Sequence, residues 1–336
     1  MSATTTSSPQ AHDAADGPRG KLNHFINGKS VPPASGAYMD NHDPRTAEKI
    51  GSVALGDKAD VAAAVAAARA AFPAWRDLKP MERSRVLFEI ARKIRAHSKE
   101  LAAIESMEAG KPASFVPREL GVAADYFEFY GSLANALHGE VIDTGVGYHT
   151  YTRREPFGVV GVITPWNVPL NQAARACSPA LAAGNTVVCK PSEKTSGTTL
   201  ALARFAVEEC GLPRGVLNVI VGTGAQAGAA LVSDPGVRKV SFTGSVRAGR
   251  EIGHIAAERV IPLTLEMGGK SPDIIFDDAD LSQVIPNTAR IFTRNCGQIC
   301  SAGTRLLVQE SAKSSSLFVR LSRGLGRFCW RTEPLF

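Results

Sequence analysis

A chain of 336 residues exceeds one typical domain, and its 44% hydrophobic and 21% charged residues suit a globular protein with a sizeable core. It has no run of about 18 apolar residues, which argues against a transmembrane helix. Its net charge of +6 does not mark a nucleic-acid binder: Lys313, Arg320, Arg323, Arg327 and Arg331 against Glu333 place +4 of it in residues 311–336, and no basic stripe with interleaved aromatics is present.

Residues 1–19 are rich in Ser, Thr, Ala, Asp and Pro and have neither a basic start nor an apolar centre. They read as a disordered tail and not as a signal peptide, so the thiols are expected to be reduced in a cytoplasm. The alanine-rich stretch 59–71 predicts a helix with Val61, Val65 and Ala68 on one face, closed by Pro73. A second helix starts near Pro80 with Val86, Leu87, Ile90 and Ile94 as its stripe, and a third covers about 99–109 and ends at Gly110. His149-Thr-Tyr-Thr-Arg153 alternates and is polar, which predicts an exposed antiparallel arm over 138–155 of the kind that pairs with another strand or subunit.

From 158 onward short apolar runs alternate with helical stretches. Strands are expected at 158–163, 186–189, 215–221, 237–242 and 260–265, with helices near 168–182, 196–210, 225–232 and from 246. Continuous β-branched runs between helices indicate a parallel sheet covered on both faces, an α/β doubly wound nucleotide-binding architecture. A strand at Asp273–Phe276 and a helix near 280–293 begin a second α/β unit.

Three turns follow strand ends on one edge of the expected sheet, where ligands bind in such folds: Thr164-Pro165-Trp166-Asn167, Lys190-Pro191-Ser192-Glu193 and Phe242-Thr243-Gly244-Ser245. A Gly-Ser pair opening a helix leaves N–H groups for a phosphate, and a Lys with a nearby Glu suits ribose hydroxyls. Gly222-Thr-Gly224-Ala-Gln-Ala227 resembles a G-x-G-x-x-A loop, with an ordinary turn and helix start as the equal alternative. Cys300 lies among small residues, Gly297, Ala302 and Gly303, which let other groups approach its thiol; a buried thiol is the alternative. Cys296 reads as a bystander, Cys177, Cys189 and Cys210 read as core residues, and the absence of a CxxC pair or nearby His argues against a metal. Glu266 closes an apolar run, where desolvation suits a general base and a salt bridge to Lys270 or an Arg is the alternative.

With these motifs, Pro165-Trp166-Asn167, Lys190-Pro191-Ser192-Glu193, Phe242-Thr243-Gly244-Ser245, Leu265-Glu266-Met267-Gly268-Gly269-Lys270 and Gly297-Gln298-Ile299-Cys300, the chain resembles the NAD(P)-dependent aldehyde dehydrogenase superfamily over about 22–310. The resemblance implies that Cys300 is the nucleophile, that Asn167 helps to form the oxyanion hole, and that Glu266 is the base that activates water. It implies a dinucleotide site of Ile163, Pro165, Trp166, Lys190, Glu193, Gly224, Phe242, Gly244 and Ser245. Lys190 and Glu193 would meet the adenosine ribose, and Gly244 and Ser245 the pyrophosphate. A Glu at the ribose leans toward NAD and leaves NADP open. The partner implied is a small-molecule aldehyde, with no nucleic acid and no membrane, in a family that is homo-oligomeric.

By this reading 20–137 and 156–265 form the dinucleotide-binding domain, 138–155 the arm, 266–310 the incomplete start of a catalytic domain and 311–336 an atypical basic tail. Two departures stand out: Arg247 occupies a position that is often acidic in the family, and the resemblance ends after Gln309-Glu310-Ser311. A C-terminally truncated or frameshifted member is expected, lacking the Glu-x-Phe-Gly-Pro segment that contacts the nicotinamide ribose. An inactive remnant that at most binds the dinucleotide is the alternative function.

Overall fold

The computed structural model describes residues 19–312, which divide after Leu265 into two compact units. Most of the expected tails, residues 1–18 and 313–336, lies outside the described residues. Among the described residues no helix is long and apolar enough to cross a membrane.

The first unit opens with β1 (Lys21–Leu22), β2 (His24–Ile26), β3 (Lys29–Val31), β4 (Tyr38–His42) and β5 (Lys49–Ala54). No element is predicted here from the sequence; β1, β2 and β3, of two or three residues each, are too short to show a period. Four helices follow: α1 (Lys58–Asp77), α2 (Pro80–Ala96), α3 (Ser98–Ala109) and α4 (Val116–Leu133). A capping box starts α1, with Asp57 accepting the N–H of Ala59 at 2.7 Å and Asp60 accepting that of Asp57 at 3.0 Å. Pro73 does not close α1 as expected. The helix runs on to Asp77 because Trp75 is fully buried and its Nε1 donates to the Leu181 carbonyl at 3.1 Å, a tertiary anchor that outweighs the lost backbone bond. Gly110 ends α3 in the left-handed conformation, at φ 66°, as its position predicts. The 138–155 segment forms the expected antiparallel pair, β6 (Val141–Ile142) with β7 (Thr150–Tyr151).

The alternating part follows as β8 (Val159–Ile163), α5 (Pro169–Ala182), β9 (Thr186–Lys190), α6 (Gly197–Glu208), β10 (Leu217–Val219), α7 (Ala229–Ser233), β11 (Val237–Gly244), α8 (Val246–Glu258) and β12 (Leu263–Met267). A π-helical turn at Gly224–Gly228 precedes α7, so the helix expected at 225–232 is only five residues long. The strands form a seven-stranded sheet in the order β12-β11-β8-β9-β10-β2-β3. The pairs β11–β8, β8–β9 and β9–β10 are parallel, whereas β2 and β3 add an antiparallel edge.

Side chains alternate along β8 between two cores. Val160 and Val162 join Leu87, Phe127, Leu170 and Leu202 on the face carrying α2, α4, α5 and α6. Val159 and Ile163 join Val61, Leu231, Val240 and Ile252 on the face carrying α1, α7 and α8. This is the doubly wound arrangement that the apolar runs predict.

In the second unit, β13 (Pro272–Ile275) and β14 (Arg305–Val308) pair in parallel, with α9 (Leu281–Thr293) between them in sequence. Thr288 of α9 donates its hydroxyl to Asp273 of β13 at 2.8 Å.

Candidate functional site

The chain passes from β8 to β9 and β10 in one direction along the sheet, then returns to β11 on the other side of β8. The strand order therefore reverses between β8 and β11, and the carboxyl ends beside that reversal form the crevice in which such sheets hold ligands. Sheet register brings three of the predicted residues into one row: Phe242 pairs with Ile163, and Ile163 pairs with Lys190. The Thr164-Pro165-Trp166-Asn167 turn leaves this row, with Trp166 exposed and Asn167 half-buried.

Lys190 is buried, and its ammonium donates to the carbonyls of Pro191 and Gly222, both at 2.8 Å. The Glu193 carboxylate lies 3.8 Å away. Burial pulls the Lys190 pKa below its ordinary value, against the attraction of Glu193. A hydroxyl set between these two groups could accept from the ammonium and donate to the carboxylate.

Beside this row Ser245 caps α8, its hydroxyl accepting the Ala248 N–H at 3.2 Å. Gly244 is required sterically: a Cβ there would lie 2.5 Å from the Phe242 ring. Backbone N–H groups at the start of a helix, with no side chain in front of them, are chemically suited to a phosphate. At Gly224 no atom lies within 4 Å of a Cβ, so the glycine leaves open space and relieves no clash within the chain. The residues at this edge thus fit the ribose and phosphate groups of a dinucleotide.

The signal missed in the sequence lies behind the crevice. Glu105 and Glu108, on the face of α3 shared with Leu101, are buried. Glu105 accepts from the Leu170 N–H at 2.9 Å, the Thr198 hydroxyl at 3.3 Å and the Lys111 ammonium at 2.8 Å. Glu108 accepts the Gly197 N–H at 3.0 Å and pairs with Arg19. Burial pushes its pKa up to about 7 despite the opposing Arg19 and Gly197 N–H. Acidic residues at helical spacing from Leu101, followed by Lys111, were the available clue.

Cys300 and Glu266 belong to the second unit. Both are exposed, which sets aside the buried-thiol alternative for Cys300 and removes the desolvation expected at Glu266. The reason at Glu266 is topological: β12 is an edge strand of the sheet, and its residues from Thr264 to Met267 are exposed. Ahead of Cys300, Asn295, Cys296 and Gly297 take positive φ values of 51°, 56° and 78°. Asn and Gly tolerate this conformation, whereas a cysteine there costs about 1–2 kcal/mol. Asn295 is buried, and its side-chain amide donates to the Gln298 carbonyl at 3.3 Å. Backbone strain beside a thiol is a recognised accompaniment of functional segments. Cys177, Cys189 and Cys210 are buried, as core residues should be.

Comparison with known proteins points the same way as these motifs. An aldehyde dehydrogenase of Enchytraeus buchholzi is 42% identical over 308 residues, covering 89% of this chain and 60% of the relative. The human 2-aminomuconic semialdehyde dehydrogenase is 41% identical, covering 90% of this chain and 62% of its own. The crystal structure of an NAD-dependent aldehyde dehydrogenase from Sinorhizobium meliloti superposes with a TM-score of 0.88 at 43% identity, over 93% of this chain and 63% of that one. The chain thus spans about 60% of the length of the curated relatives it matches. Residues 31–321 match the aldehyde dehydrogenase family, and the chain belongs to that family.

Proposed function

We propose that the chain carries the dinucleotide crevice and the nucleophile of an enzyme that oxidises an aldehyde to a carboxylic acid. The observation that carries this reading is the row Phe242, Ile163 and Lys190 at the reversal of strand order, with the Gly244-Ser245 helix start beside it. In this reading Cys300, as the thiolate, attacks the aldehyde carbon and forms a thiohemiacetal. The Asn167 side-chain amide and the Cys300 backbone N–H donate to the developing oxyanion. When bound, the nicotinamide ring supplies the acceptor for the hydride leaving that carbon, which turns the adduct into a thioester. Glu266 takes a proton from water, the hydroxide attacks the thioester carbon, and the Cys300 thiolate leaves as the acid is released.

Lys190 and Glu193 bind the adenosine ribose, Gly244 and Ser245 the pyrophosphate. Ile163, Pro165, Trp166, Gly224 and Phe242 complete the walls. Glu193 would repel a 2′-phosphate, which favours NAD over NADP.

A second reading, dinucleotide binding without turnover, is favoured by the exposure of Glu266 and Cys300. Stabilisation of the developing oxyanion is strongest in a preorganised site shielded from bulk solvent. Incubating the purified chain with a simple aldehyde and NAD+ separates the two. Formation of reduced dinucleotide that is lost in Cys300→Ala supports the dehydrogenase reading. Saturable NAD+ binding with no reduction supports the second, and absence of both refutes the crevice itself.

A further inference from the structure

Neither α5 nor α6 supplies its own N-terminal cap. The cap residues Val168 and Ser196 make no side-chain cap hydrogen bond. The acceptors come from α3 instead. Glu105 takes the N–H of Leu170 in the first turn of α5 and the hydroxyl of Thr198 in the first turn of α6. Glu108, on the same face, takes the N–H of Gly197, the first residue of α6. The turn that bears Asn167 leads directly into α5, and the turn that bears Lys190 and Glu193 leads into α6.

We propose that Glu105 and Glu108 are positioning residues, which cap α5 and α6 from α3 and thereby hold the Asn167 turn and the Lys190–Glu193 turn in one frame. The role in positioning a cofactor rests on the crevice reading given above.

Electrostatics support the assignment. Glu105 and Glu119 pair with the buried Lys111, and Glu108 pairs with the half-buried Arg19. Each helix N-terminus carries about half a positive charge, which favours carboxyl oxygens at the starts of α5 and α6. A buried carboxylate without compensation is strongly unfavourable. Displacing either helix start is therefore opposed by the whole cluster. One carboxylate serving both helices also couples the two turns to each other, as two separate caps would not.

Hydrogen exchange measured by mass spectrometry on the full chain tests this, with Glu105→Gln and Glu108→Gln as conservative variants and Glu105→Ala as the full deletion. Gln keeps the shape and an acceptor oxygen but removes the charge, so a foldable variant is retained if the Ala variant collapses. The expected result is exchange about tenfold faster in peptides covering 167–172 and 193–199. Protection in 159–163 and 186–189 should be unchanged. The NAD+ dissociation constant should rise by about the same factor, since the ordering of the turns would then be charged to binding. Unchanged exchange at the two helix starts, or an equal rise throughout the chain, would overturn the proposal. Local acceleration with unaltered NAD+ affinity would overturn it too. If the parent chain binds no NAD+ at all, the crevice reading fails, and the exchange pattern alone still decides whether α3 frames the two turns.

Discussion

The carboxyl edge of the large sheet and the segment around Cys300 illustrate two ways of carrying chemistry. At the sheet edge, β8 and β9 are buried along their whole length, and register fixes Ile163 against Lys190 and Phe242. Helices cover both faces, and the turns are capped from behind by α3. Glu266 and Cys300 instead lie on exposed backbone, at an edge strand and after a strained turn. The difference teaches that, in the proposed reading, the cofactor-binding residues rest on a packed sheet edge within one compact unit, whereas the proposed nucleophile and base rest on exposed backbone. The proposal therefore separates into a binding part and a turnover part that can be tested apart.

The largest expected effect lies on the exposed side. Cys300→Ala should lower any aldehyde-dependent reduction by about 10⁴-fold or more while leaving dinucleotide affinity intact. Reduction that survives the substitution would break the division of labour. Next comes Asn167→Ala, which by the proposed mechanism removes one oxyanion donor and should reduce kcat by about 10²–10³-fold, near 3–4 kcal/mol, without altering NAD+ affinity.

The third test addresses the buried side through pH. Glu108 has its pKa raised from 4.5 to about 7 in the folded chain. The folded state therefore binds more protons than the unfolded state between these values. The stabilisation from protonated Glu108 is fully present below about pH 4.5 and is lost as pH rises through about 7, by roughly 3 kcal/mol. Denaturant titrations across this range should show that slope, and Glu108→Gln should flatten it; an unaltered slope in the variant would count against the buried cluster. The smallest effect is expected for Gly244→Ala, whose Cβ meets the Phe242 ring. Overpacking of this kind costs about 1–3 kcal/mol and should appear as a lower melting temperature together with weaker NAD+ binding.

Much of this organisation was legible in the sequence because it rests on short-range patterns. The alternation of apolar runs and helices from 158 to 258 appears in the structure as β8 through α8. The left-handed stop at Gly110 follows from the residue itself. Pro73 misled because local propensity favours a stop there, while the buried Trp75 and its bond to Leu181 act at long range. Helix α4 gave no capping signal, since Phe115 makes no side-chain cap hydrogen bond, and its buried stripe mixes Val116 and Leu120 with Ala123, Phe127 and Gly131. The environment of Glu266 was misjudged because an apolar run does not tell an edge strand from a central one. The role of Glu105 was invisible for the same class of reason: its partners Leu170 and Thr198 are distant in sequence and are brought to it only by the fold.

The central claim is that the first unit contains a working dinucleotide crevice. Titration of the full chain with NAD+, followed through quenching of tryptophan fluorescence with Trp166→Phe as the control, tests it most directly. The account predicts saturable quenching that is lost in the control and weakened in Gly244→Ala. Absence of saturable binding by any probe, or binding indifferent to both Lys190→Ala and Gly244→Ala, would contradict it.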